Sequence, residues 1–205
     1  MKNITEAQLK LLAPNIRQVY LDAFQNADQI LAAYGINDNG IRLSHFMAQI
    51  LHESGALTIF EESLNYSAKR MTQVWPGRFP TLKSALPYAH KPRELADKVY
   101  NGRMGNKVGT DDGWNYIGRG LMQITGKDSY VHFGSLLGID LLNHPELAYS
   151  KDSCLKIAAA EWDEKGCNEL ADQDKIVSIT VRINGGKIGL AERRDWLVKT
   201  KHIWA

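Results

Sequence analysis

Between Ile41 and Ser54 the apolar side chains Leu43, Phe46, Met47, Ile50 and Leu51 recur at spacings of three and four. The regular element that gathers them on one face is an α-helix, so a helix buried along that stripe is predicted here. Gly55 closes it, because a glycine readily leaves the helical conformation. At 100° per residue Glu53 falls about 20° from Phe46, at the margin of the stripe, while His52 points away. A carboxyl at the edge of an apolar face is partly desolvated and holds a proton nearer neutrality, as a general acid must. A solvated glutamate in a last turn has the same position, and helix geometry alone leaves both readings open.

The same periodicity runs from residue 5 to 34, through Leu9, Leu12, Ile16, Val19, Tyr20, Phe24, Ile30, Leu31 and Tyr34, with a break near residue 13 imposed by Pro14. Further helices are predicted near 128–137, 152–165, 174–183 and 189–199. The run Ile176–Val181 has the composition of a strand, but no partner strand is evident and it is read as helix. From Ser67 to Asn106, Pro76, Pro80, Pro87 and Pro92 interrupt short helical pieces such as Pro92–Tyr100, the texture of a small lobe. Residues 101–120 are rich in glycine. The fold class is mainly α, with room for a short hairpin.

Lys and Arg number 25 against 23 Asp and Glu, a net charge of +2. That balance offers no basic footprint for nucleic acid. No apolar run approaches the roughly 20 residues of a membrane helix. The N-terminus carries no apolar signal core behind Lys2. The expectation is a cytoplasmically made monomer with no signal peptide and no stable membrane insertion. Cys154 and Cys167 flank the predicted helix Leu155–Glu164, about 19 Å apart at helical rise. A disulfide needs Cα atoms within about 7 Å, so both are read as free packing thiols.

Several segments carry chemistry. Glu61 and Glu62 follow Glu53 after the Gly55 stop, which allows the chain to turn back. Glycosidic cleavage commonly uses two carboxylates, although adjacent surface glutamates are commonplace. Trp114–Gly126 (WNYIGRGLMQITG) sets Trp114 and Tyr116 among glycines and amides, a composition suited to covering sugar faces and bonding hydroxyls. It lacks the spacing of a phosphate-binding loop. Asn184 precedes Gly185-Gly186, where an asparagine most often caps a helix. No His-Glu-x-x-His, Cys-x-x-Cys or Gly-x-Ser-x-Gly occurs. His45 and His52 lack a third ligand and are read as surface histidines, so neither metal nor cofactor is expected.

Taken in order, Ala48–Gly55 (AQILHESG), Glu62–Ala68 (ESLNYSA), Tyr100–Asn106 (YNGRMGN), Asp112–Thr125 and Arg182–Gly186 (RINGG) resemble glycoside hydrolase family 19, and within it the phage endolysins more than the plant chitinases. The likeness spans about residues 40–195. It implies a lysozyme-like helical body and a small lobe, about 67–106, with a substrate cleft between them. The whole of 1–205 is then one catalytic domain without a separate cell-wall-binding module. It implies Glu53 as general acid and Glu62 as the base that activates water, with inversion and a carboxyl separation of roughly 6.5–9.5 Å. Gln123, Thr125 and Asn184 match positions that bind sugar or place the water, and Tyr130 and Arg193 match positions lining or bracing the cleft. The implied partner is bacterial peptidoglycan, reached from the host cytoplasm through a holin-type lesion. A chitinase shares the same β-1,4 N-acetylhexosamine backbone and remains the alternative, with a non-catalytic glycan binder behind it. Two departures stand out. Ile117 replaces the arginine usual in the endolysin pattern, and Lys187-Ile188 replaces a plant-enzyme glutamate after the Asn-Gly-Gly turn, which leaves the partner of Arg193 open.

Overall fold

A computed structural model describes residues 1–205. Thirteen α-helices follow one another: α1 Glu6–Leu12, α2 Gln18–Ala23, α3 Ala27–Ala32, α4 Gly40–Glu53, α5 Ala68–Val74, α6 Leu82–Ala85, α7 Pro92–Tyr100, α8 Asp112–Asn115, α9 Lys127–Leu137, α10 Cys154–Glu164, α11 Cys167–Asp172, α12 Ile176–Asn184 and α13 Leu190–Trp204. Three short 3₁₀ turns at 24–26, 86–88 and 145–149 complete the list. No β-strand forms, so the short hairpin is not there. Gly102, Gly105, Gly109, Gly120 and Gly126 take positive φ and bend the glycine-rich stretch into turns. The segment 176–184 is helical, with Ile176, Ile179 and Thr180 buried at i, i+3 and i+4. No helix is long and apolar enough to cross a membrane.

The chain divides into two compact units. The first holds residues 1–60, 119–123 and 146–205, and the second 61–118 and 124–145. In the first unit α4 is the central element. Asn39 caps it by accepting from the Arg42 N–H at 2.9 Å. Its residues 43–51 are all buried, and Phe46 meets Trp162 edge to face at 5.4 Å.

Helix α13 packs along α4 in the opposite direction. Gly40 at the start of α4 lies against the end of α13, where a Cβ would stand 1.8 Å from the Trp204 carbonyl oxygen. One turn on, Thr200 Oγ1 donates to the Ser44 carbonyl at 2.9 Å. Two turns further, Arg193 reaches Gln49 and Glu53. The register of this helix pair is therefore fixed at three levels.

His45 is fully buried rather than on the surface. Its Nε2 lies 2.7 Å from Asp174 Oδ1, and Lys201 approaches the same carboxylate at 2.6 Å. His52 is only partly exposed, with Nδ1 3.0 Å from Glu192 Oε2. Neither is a surface histidine, because α13 and the turn before α12 cover that side of α4. Cys154 and Cys167 are buried free thiols, each pushed up to about 12, first by burial.

The second unit has its own apolar centre. Leu64, Met71, Phe79, Leu95, Val99 and Ile117 pack together there, with Tyr66, Trp75 and Trp114 against them. Ile117 is 1% exposed, which accounts for an apolar residue where the endolysin pattern has arginine. The Asp112 carboxylate ties the loop at Lys107 to the start of α9, accepting from the Lys107 N–H at 3.0 Å and facing Lys127 Nζ at 3.1 Å.

Candidate active site

Glu53 is the last residue of α4, and its side chain is 17% exposed. Arg193 donates to it from α13 and also donates to Gln49 one turn earlier on α4. Arg193 is itself 1% exposed, so it braces Glu53 and does not face a ligand. This answers the question left by Lys187-Ile188: with no glutamate at that turn, Arg193 pairs directly with Glu53.

Beyond Glu53 the chain reverses through Gly55, Ala56 and Leu57, all left-handed at φ +55°, +55° and +62°. Left-handed backbone costs a non-glycine residue about 1–2 kcal/mol, and two such residues in succession need support. Ser54 supplies it. Its hydroxyl donates to the Ile50 carbonyl at 2.7 Å and accepts from the Leu57 N–H at 3.0 Å, while Leu57 is fully buried. The reversal inferred from Gly55 is thus a built turn.

In the second unit Glu62 is held at both ends of its side chain. Its backbone N–H donates to the Gly118 carbonyl at 2.9 Å. In return the Gly118 N–H donates to Glu62 Oε1 at 2.7 Å, and the Tyr100 hydroxyl donates to Oε2 at 2.7 Å. Burial and the neighbouring Glu62 carboxylate push the Tyr100 hydroxyl well above its ordinary range, so it stays a donor. Each carboxylate oxygen accepts one hydrogen bond and keeps a free lone pair, which leaves capacity to accept a proton from water. Glu61, next to it, is exposed.

The remaining expected residues fall into two groups. Gln123 is partly exposed and left-handed at φ +56°, with Nε2 donating to the Gly120 carbonyl at 2.8 Å. Strained backbone of this kind clusters at functional sites. Gly120 permits the turn, since a Cβ there would lie 2.4 Å from the Ala148 carbonyl oxygen. Thr125 and Trp114 are partly exposed, and Asn184 is exposed at the end of α12. Tyr130 and Tyr116, by contrast, are 0% and 5% exposed. Their hydroxyls donate to the Ile117 carbonyl at 2.7 Å and the Leu142 carbonyl at 3.1 Å. They brace the 114–118 segment from within. Tyr100 and Gln49 were missed as functional residues. Both lay inside matched motifs, Tyr100 in Tyr100–Asn106 and Gln49 in Ala48–Gly55, but only their contacts in the fold show what they hold. No three His, Cys, Asp or Glu side chains are grouped to hold a metal ion.

The chain is 41% identical over 157 residues to a glycosyl hydrolase family 19 domain-containing protein of Haemophilus influenzae, covering 76% of each chain. The chain belongs to glycosyl hydrolase family 19. The fold agrees. Chitinase C from Streptomyces griseus HUT6037 superposes with a TM-score of 0.66 at 18% identity, covering 98% of this chain and 91% of that one. A bacterial family 19 chitinase gives 0.65 at 19% identity, over 97% and 93%. No family model matches the chain. The helical, chitinase-like fold and the family relation make it a glycoside hydrolase by kinship.

Proposed function

We propose that this protein is an endolysin of the phage type that hydrolyses β-1,4 glycosidic bonds of bacterial peptidoglycan with inversion. Glu53 protonates the leaving oxygen and Glu62 deprotonates the attacking water. The observation that carries the reading is the setting of Glu62. Two neutral donors, a phenol kept protonated and a backbone N–H, fix the carboxylate without cancelling its charge. That is what a base aimed at one water needs. Gln123, Thr125, Trp114 and Asn184 supply the sugar contacts. On this reading the protein acts as a monomer, is made in a host cytoplasm and reaches the wall after a membrane lesion.

The named structural neighbours favour a second reading, hydrolysis of chitin. Mass spectrometry of digests separates the two. New N-acetylmuramic acid reducing ends in peptidoglycan establish a muramidase, and N-acetylglucosamine ends a glucosaminidase. Release from colloidal chitin with peptidoglycan untouched would replace the endolysin reading by the chitinase. Binding to either polymer without new reducing ends would mean a non-catalytic glycan binder.

A further inference from the structure

Helices α10 and α12 end side by side in the first unit, and each caps the other. The last four carbonyls of a helix have no partner within it. Arg182 of α12 donates through Nη1 to the carbonyls of Lys165 and Gly166, at 2.6 and 3.1 Å, where α10 ends. In return Lys165 donates from Nζ to the Ile183 carbonyl at 3.0 Å, in the last turn of α12. Cations at helix C-termini also meet the negative end of the helix dipole. Ile183 is the residue immediately before Asn184.

A third residue makes this more than an exchange of caps. Lys165 Nζ also meets Glu161 Oε1 at 3.0 Å, four residues back on α10. Glu161 is 9% exposed, and its other oxygen is buried with no hydrogen-bond partner. Its neighbours on the helix, Ala158, Ala160 and Trp162, are buried and apolar. Burial pushes the Glu161 carboxyl up, and Lys165 works against that push, while Glu53 and Glu164 add to it. A lysine that only capped a helix would need no such acid and would be free to swing into water. The buried carboxylate holds the ammonium beside the Ile183 carbonyl.

We propose that Lys165, aimed by Glu161, is a positioning residue for Asn184. It fixes the last turn of α12 and thereby the place from which Asn184 meets an N-acetylhexosamine. The inference rests on the reading of Asn184 as a sugar-binding residue given above.

The test uses the full chain, a soluble N-acetylglucosamine hexamer, and peptidoglycan sacculi. KM, kcat and the hexamer Kd are measured for the native protein, Lys165→Met, Lys165→Arg, Asn184→Ala and Lys165→Met/Asn184→Ala. Lys165→Met should raise KM and Kd several-fold, up to about tenfold for one hydrogen bond, with kcat within about twofold of native. Lys165→Arg, which keeps a donor, should recover most of the affinity. In the Asn184→Ala background Lys165→Met should have no further effect, because its route to the sugar is gone. If Lys165→Met unfolds, Glu161→Met/Lys165→Met removes the unpaired buried charge, restores the fold and still shows the raised KM. An unchanged KM in a folded variant, or an equal loss in the Asn184→Ala background, overturns the inference while leaving the functional reading intact. A native protein that neither cuts nor binds hexamer or sacculi overturns the functional reading itself, and this inference with it.

Discussion

Replacing Arg193 with Met should both destabilise the protein and disable it. The side chain is 1% exposed, and its two terminal nitrogens donate to Gln49 and Glu53. Met keeps most of the volume and the stem but removes both donors. Gln49 is fully buried and its Nε2 has no partner, so losing the bond to Oε1 leaves the whole amide unsatisfied, at about 1–3 kcal/mol. Breaking a buried ion pair costs about 3–5 kcal/mol. Glu53 is 17% exposed and can recruit water, so its share is smaller, about 1–2 kcal/mol by the same reasoning. The sum is about 2–5 kcal/mol. At about 2–4 °C per kcal/mol for a chain of this size, Tm should fall by roughly 5–20 °C.

Circular dichroism melts read the stability, and release of reducing ends reads the activity. Turnover should drop by about 100-fold, since misplacing a catalytic group by an ångström has that effect. Arg193→Lys keeps the charge but not the planar fork that serves two acceptors, so it should fall between native and Met. Gln49→Leu/Arg193→Met removes the stranded amide and should recover part of the lost Tm without recovering turnover. A Tm within about 2 °C of native for Arg193→Met, or native turnover in the folded variant, would refute the bracing role.

Tyr100→Phe removes one of the two donors to Glu62, a bond to a charged group worth about 1.5–3 kcal/mol, and should reduce kcat by about tenfold while lowering Tm by a few degrees; a native kcat would show the Gly118 N–H suffices. Ala56→Gly relieves left-handed strain at a partly exposed site and should raise Tm by about 1–4 °C, so a lower Tm would mean the turn is not strained there. Burial alone would raise the Asp112 carboxyl, but the Lys107 N–H and Lys127 outweigh it and hold the group below its ordinary value. Its stabilisation is therefore present above the unfolded value near 4 and lost as pH falls through the lower folded one; an acid melt of Asp112→Asn should be flatter in that window, and parallel curves would exclude the linkage. Azide should partly restore hydrolysis to Glu62→Ala, giving a product of inverted configuration, and leave Glu53→Ala inactive; full activity of Glu62→Ala without azide would remove Glu62 as the base.

What could be read from the sequence was what one helix or one turn determines. The stripe from Leu43 to Leu51 placed α4 to within a residue at each end, and Pro92 marked the start of α7. Two features were out of reach for a common reason. Arg193 meets Glu53 across 140 residues, and His45 meets Asp174 across 129. Neither contact has a local signal, because both depend on which faces of distant helices are pressed together. Tyr130, Tyr116 and Arg193 show the same limit in another form. A motif match marks that a position matters, but burial decides whether the side chain faces a sugar or props up the residue that does.

The two candidate carboxylates are held by donors of different charge, and the difference follows the roles assigned to them. When Glu53 gives its proton to a leaving oxygen it becomes an anion, and the Arg193 guanidinium is already bonded to one of its oxygens to receive that charge. Electrostatic help of this sort acts without reorganisation when the charge develops. Glu62 changes in the opposite sense, from anion to neutral acid as it takes the water's proton. A cation bonded there would resist the change, whereas the Tyr100 hydroxyl and the Gly118 N–H fix position at a smaller electrostatic cost. Exchanging the roles would put the cation beside the group that must lose its charge and the neutral donors beside the one that must gain it. These settings fit the proposed roles for the proton-transfer step itself, while the same Arg193 cation favours an ionised Glu53 before that step, so the choice of Glu53 as acid rests on the family motif.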